Sequence, residues 1–189
     1  MNKGVQLALR NLYQDYVQQF QAQHGSLPFS PWQEDWDSPC IQQVDRHQER
    51  TYWLPAERED EQPLPEVEKG LEIAVHPDIR TFYGSLWADG IRVDSPWGEI
   101  GLIQVWNPED LELLKQNQLG HAFVRLKQRS PLSFFIGIQQ DEKVISIDND
   151  RGVVQREQPG RRRKDEVLCD SLENFLRQLR PNLRPYGEF

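Results

Sequence analysis

Little in this sequence belongs to the usual reactive or membrane-spanning kinds. Two cysteines, Cys40 and Cys169, are all it has, and in a chain expected to stay in the cytosol they read as free thiols rather than a disulfide framework. No apolar run approaches the ~20 residues that crossing a bilayer requires. The opening MNKGVQLALRNLYQDY lacks the uninterrupted apolar core of a signal peptide, and no Asn-x-Ser/Thr acceptor occurs. Also missing are the G-x-S-x-G elbow, the phosphate-cradling P-loop, G-x-G-x-x-G and H-E-x-x-H. Each absence removes a class: secreted scaffold, membrane span, serine hydrolase, nucleotide binder, zinc protease.

What is present is charge of one sign in one place. The chain of 189 residues carries a net −8. Between Glu34 and Glu68 there are eleven acids against three arginines, and the other 19 acids and 19 bases cancel. Phosphate backbones need clustered cations, so nucleic acid is excluded as the natural partner; a basic protein surface suits this charge. Six Trp, five Tyr and eight Phe supply enough apolar mass for a core, so one domain spanning 1–189 is expected.

Val67 to Gly90 organises the rest. Ile79, Phe82, Tyr83 and Leu86 share one helical face, with Pro77 and Asp78 suited to the first turn and Asp89-Gly90 as the stop. Val67, Gly70, Leu71 and Ala74 predict a second short helix before His76-Pro77. A first helix is predicted from Asn2 to His24, then an irregular loop over 26–48, a strand at Thr51–Leu54, and an exposed acidic, proline-rich excursion over 55–65. Hairpins follow around Ser95–Gly98 and Asn149–Gly152, flanking a helix started by Asn107-Pro108 and a strand over Leu132–Ile138. A last helix over 170–180, capped by Asp170, ends at Pro181. The class is α+β: an antiparallel or mixed sheet with helices packed on it.

Reactive constellations are thin. Cys40 and His47 lack the companion pair that zinc needs, and Cys40 as a nucleophile would need His76 or His121 brought beside it. Asp148–Gly152 resembles a calcium loop, but the position requiring a bidentate Glu holds Pro159; a turn is the better reading. No cofactor, metal or small-molecule substrate is expected. Tyr83, Trp87 and Trp97 read first as core and second as binding anchors.

Ser38-Pro39-Cys40-Ile41, Tyr52-Trp53 with Pro55, Arg80-Thr81-Phe82-Tyr83, Leu119-Gly120-His121, Val144-Ile145-Ser146 and the final Phe175-Leu176 and Gln178-Leu179 stand in the order and spacing of one known family. The chain resembles the bacterial SecY-interacting Syd family. The resemblance implies a non-enzymatic protein, peripheral on the cytoplasmic side of the inner membrane, that binds the translocon subunit SecY as a quality-control or negative regulator. Cytoplasmic loops of membrane proteins are rich in Lys and Arg. The expected docking residues are therefore Glu57, Glu59, Asp60, Glu61, Glu66 and Glu68, with Tyr83. Arg161, Arg162, Arg163 and Lys164 match a basic loop of the family and are a weak lipid contact. Ile79–Gly90 also resembles the core helix of the SUKH superfamily of immunity proteins, which implies an alternative: neutralising a basic toxin nuclease.

Overall fold

The Asn2 side-chain oxygen accepts from the Gly4 and Val5 amides, and Gly25 at φ 68° closes the same helix. That helix, α1 (Lys3–His24), is the one the spacing predicts. The computed structural model describes residues 1–140, 142–157 and 165–183.

Residues 26–48 are not irregular throughout. β1 (Phe29–Pro31), β2 (Ile41–Asp45) and β3 (Arg50–Trp53) form an antiparallel sheet in the order β1-β3-β2. The sequence hid it because Pro31 sits on an edge strand, where a missing N–H is tolerated, and because Ile41–Asp45 is largely exposed and carries no alternation.

The acidic segment is not a free excursion either. β4 (Ala56–Glu57) pairs with β5 (Leu86–Trp87), Arg58 and Asp60 amides donate to Ser85 and Gly84 carbonyls, and Leu64 is fully buried. α2 (Pro65–Leu71) follows and buries only Val67; it ends where Glu72 turns left-handed at φ 54°. α3 (Pro77–Gly84) is shorter than its apolar spacing predicts. It stops because Leu86 and Trp87 are needed for pairing with β4. Gly84 is the residue against which the arm lies: any Cβ there would collide with the Asp60 carbonyl oxygen.

The main sheet has seven strands: β6 (Ile91–Ser95), β7 (Gly98–Leu102), β8 (Ser133–Ile138), β9 (Val144–Asp148), β10 (Val154–Glu157), β11 (Glu166–Cys169) and β12 (Arg180–Asn182). Its order is β11-β10-β9-β8-β7-β6-β12, antiparallel at every pairing. The apolar run over Leu132–Ile138 becomes the middle strand, as continuous apolar runs should. β11 and β12 are short edge strands that periodicity could not reveal. α4 (Pro108–Lys127) links β7 to β8 and packs on β8, running unbroken through Gly120, with Asn107 accepting from the Asp110 amide at 2.7 Å. α5 (Leu172–Arg177) is capped by Ser171 rather than Asp170, which accepts instead from the Asn174 side chain. The expected α+β class stands, with an antiparallel sheet. Buried side chains join in one cluster from Val5 to Leu179. Within it Tyr16 stacks on Trp53, and Trp53 meets Trp106 edge-on at 6.4 Å, tying α1 and the small sheet to the start of α4.

Candidate functional site

The acids expected to dock a partner lie along one arm, but most are already engaged. Glu57 pairs with Arg10 of α1, Asp60 with Arg58 at 2.5 Å, and Glu61 with the N-terminal amine at 3.5 Å. Glu66 reaches Lys115 at 2.8 Å, a hydrogen bond that holds its carboxyl below the usual range. Glu68 accepts from the Val75 amide at 2.9 Å; Glu59 is exposed. The carboxylates of these pairs stand at or near the surface, where ion pairs are worth only about 0–1 kcal/mol, so an incoming cation can compete for them, although the Arg58 and Lys115 side chains are themselves only 9% and 10% exposed. Arg58 is held differently: it stacks over the Trp87 ring at 4.1 Å and donates to the Tyr83 carbonyl.

Tyr83 requires a correction. Its side chain is fully buried, with the hydroxyl donating to the Phe135 carbonyl at 2.7 Å and lying near Gln118. Burial pushes that phenol far above its ordinary value. In this fold Tyr83 is a core residue. Trp97 likewise stacks on Phe175 at 5.4 Å. The Arg161–Lys164 run lies outside the described residues.

The structure brings together a second set of groups. Residues 30–38 fold over the entrance to α4: the Ser38 hydroxyl donates to the Trp106 carbonyl at 2.6 Å, and Trp106 Nε1 donates to the Trp36 carbonyl at 3.3 Å. Asn107 donates to the Asp37 carbonyl at 2.8 Å. Between them is a recess of about 320 Å³ walled by Ser30, Trp36, Thr51 and Trp106, with Asp89 and Asp110 lining it. Asp89 accepts from the Ser30 hydroxyl and from the Gly90 amide at 2.7 Å. Asp110 accepts from the Trp106 amide at 2.8 Å.

All of these donors are neutral, and no lining residue is cationic. Burial raises both carboxyls above their ordinary range; Asp110 raises Asp89 further, and the neutral donors only partly oppose this. A group whose folded value is raised gives stability below its unfolded value and loses it as pH rises through the folded one. At neutral pH the two carboxylates are therefore a standing cost that a bound cation would relieve. Glu34, Asp35 and Asp37 are exposed beside the same rim.

A groove of about 520 Å³ runs along α1, its walls including Leu7, Val17, Leu54 and Leu86, with Arg10 and Glu57 also lining it. Tyr13 joins the two features: it lines the groove, and its hydroxyl donates to the Asp89 carbonyl at 2.8 Å.

A family model described as Syd protein (SUKH-2) matches residues 6–181, a span that contains the arm, the groove and the recess. The chain belongs to the Syd family. Among its relatives, Protein Syd of Hahella chejuensis is 41% identical over 182 residues, covering 94% of each chain. Protein Syd of Pseudoalteromonas atlantica is 34% identical, covering 88% of this chain and 92% of its own. Protein Syd of a Shewanella species is 37% identical, covering 94% and 83%. The family description itself carries the name of the superfamily that Ile79–Gly90 resembles.

In this Syd-family chain the reactive candidates are occupied elsewhere. Cys40 is fully buried, and burial pushes its thiol up to about 11, so it stays protonated at neutral pH. His121 places one nitrogen, Nε2, at 3.1 Å from Glu157 and 3.3 Å from Ser133. A catalytic triad needs one nitrogen for each neighbour, and Ser133 is fully buried. The Asp148 carboxylate accepts the Asp150 and Arg151 amides, so that segment is a turn. No described helix is long and apolar enough to cross a membrane.

The recess was not legible beforehand. In the sequence Asp89 reads as a helix stop and Trp36 as loop, while Trp106 and Asp110 merely flank the Asn107-Pro108 helix start. Only the folding of 30–38 over 106–110 makes them neighbours.

Proposed function

We propose that this chain binds the SecY translocon subunit at the cytoplasmic side of the inner membrane, as a peripheral quality-control or negative regulator that acts by binding and not by catalysis. Family membership supports the partner. The observation that carries the mode of binding is the recess, where two half-buried carboxylates face two indole rings with no cation among the lining residues. A lysine or arginine from a basic cytoplasmic loop of SecY enters there, its charge on Asp89 and Asp110 and its stem against the rings. The α1 groove receives apolar side chains from the same loop, and Glu57, Glu59, Asp60, Glu61, Glu66 and Glu68 form the outer acidic rim that speeds encounter. Arg161–Lys164 adds a weak lipid contact, each cation contributing on the order of 1 kcal/mol.

The rim is tested by replacing Glu57, Glu59, Asp60 and Glu61 with lysine and measuring binding to SecY-containing inner-membrane vesicles across a salt series. The expected result is weaker binding at low salt and a flatter salt dependence, because rim charge acts through screened, long-range attraction. An unchanged affinity and an unchanged slope would remove the arm from the interface.

A further inference from the structure

α4 has two apolar faces, and only one meets the protein. Leu111, Leu114, Gln118, Ala122 and Arg125 are buried toward the sheet side. Phe123, Val124 and Leu126, in the last turns, are 55%, 45% and 49% exposed. Three large apolar side chains within four residues form a patch, not the single exposed apolar residue found on any surface. No described element covers it.

Charge says what does. From Leu113 through Gln140 there is not one acid, in a chain that carries 30. Two of the cations in this stretch already have partners: Lys115 pairs with Glu66 and Glu112 at the surface, and Arg125 pairs inward with Glu157 and Asp165. The other two, Lys127 and Arg129, are exposed beside Phe123 and Leu126. Arg129 stands at φ 56°, in the left-handed position after a helix that glycine ordinarily takes. A long cation thus stands where the backbone favours the smallest residue. Arg125 also donates to the Pro131 carbonyl at 3.0 Å, which pins the last turn with its apolar side outward.

We propose that the C-terminal half of α4 is a lipid-contact face that lies on an anionic bilayer surface, with Phe123, Val124 and Leu126 at the headgroup–acyl boundary and Lys127 and Arg129 among the headgroup phosphates. This is the arrangement of an interfacial amphipathic helix: apolar side chains flanked by exposed cations, in a stretch of chain that carries no acid of its own. A second copy of the chain fits less well, since a two-fold contact would set Lys127 and Arg129 against their own equivalents. The net −8 of the molecule opposes approach to an anionic surface everywhere else, so the contact is weak and directional. It orients the protein on the membrane and stands apart from SecY recognition.

The test is co-sedimentation of the full chain with SecY-free vesicles of phosphatidylcholine, alone or with phosphatidylglycerol admixed, at low salt. Binding is expected only with phosphatidylglycerol. Lys127→Gln and Arg129→Gly should each weaken it by about fivefold, the share of one surface cation. Phe123→Ser with Leu126→Ser should abolish it. Arg129→Gly relieves a left-handed backbone and Phe123→Ser changes an exposed side chain, so loss of fold does not confound the result; a melting curve confirms it. No binding to either vesicle, equal binding to both, or binding indifferent to these substitutions would overturn the proposal. So would a dimer in sedimentation that Phe123→Ser dissolves, because the face would then belong to a second copy. None of these outcomes bears on SecY recognition, which the vesicles lack.

Discussion

Replacing Arg125 with methionine is expected to destabilise the fold by about 3–5 kcal/mol, the cost of leaving a buried charge without its partner. Arg125 and Glu157 are 5% and 4% exposed at the side chain and meet at 2.6 Å, and Asp165 takes the other arm of the guanidinium, also at 2.6 Å. The three fasten α4 to β10 and to the start of β11. Together the pair contributes little net, since desolvation offsets its attraction; removing one member is what is costly. In a protein of this size the melting temperature should fall by roughly 6–20 °C, at about 2–4 °C per kcal/mol.

The sign of the pH dependence is a second check. Burial would raise the Glu157 carboxyl, but the hydrogen bond from His121 and the charge of Arg125 hold it below its ordinary value. A group depressed in the folded state contributes stability above its unfolded value of about 4.3, and that stability is lost as pH falls through the folded one. The Arg125→Met deficit should therefore be smaller at pH 4, where an unpaired Glu157 takes up a proton, than at pH 7. The double variant Arg125→Met with Glu157→Leu should recover most of the loss. Denaturant melts at the two pH values decide it; a deficit equal at both, or additive in the double variant, would mean that the network is not the fastening.

Asp89→Asn should act with opposite signs on stability and on binding. The amide oxygen keeps the Gly90 hydrogen bond while its nitrogen donates to the Ser30 hydroxyl in place of accepting from it; the change removes a carboxylate raised by burial and by Asp110, and should leave the protein as stable as before or more so by about 1 kcal/mol. SecY binding should weaken about 30-fold or more, since truncating one side of a desolvated charge pair costs about 2 kcal/mol at the low end. Asp110→Asn should weaken binding too, with less gain in stability, because that carboxylate also serves the first turn of α4 as the acceptor for the Trp106 amide. A general structural role predicts the reverse pairing: lower stability with binding intact. Thermal melts and SecY pull-downs on the same preparations separate the two.

The contrast between these sites explains what the sequence could and could not convey. α1, α4 and the middle strand β8 were legible because each carries a full period of apolar residues, and Asn2 and Asn107 cap where an Asn before a helix should. α3 ends at Gly84, short of the Asp89-Gly90 stop that its spacing predicts, because Leu86 continues its apolar stripe while serving β5; a residue buried on either path leaves the same pattern. Ser171 and Asp170 are both good caps, and only the backbone at Ser171 decides between them. β11 and β12 draw their pairing from neighbours, not from their own composition. The acidic count pointed to a cationic partner but not to the carboxylates that await one. Glu57, Asp60, Glu61 and Glu66 are conspicuous in the sequence and already paired in the structure, whereas Asp89 and Asp110, twenty-one positions apart, became one site only through the fold.

The most direct measurement is a pull-down with inner-membrane vesicles containing or lacking SecY, at low and at high salt. Recognition through an acidic rim and recess predicts that SecY adds binding beyond what SecY-free vesicles retain through lipid, and that this SecY-dependent part fades as salt screens the rim and is lost with Asp89→Asn at low salt. A SecY-dependent part that is absent, or is indifferent to both salt and Asp89, would contradict it.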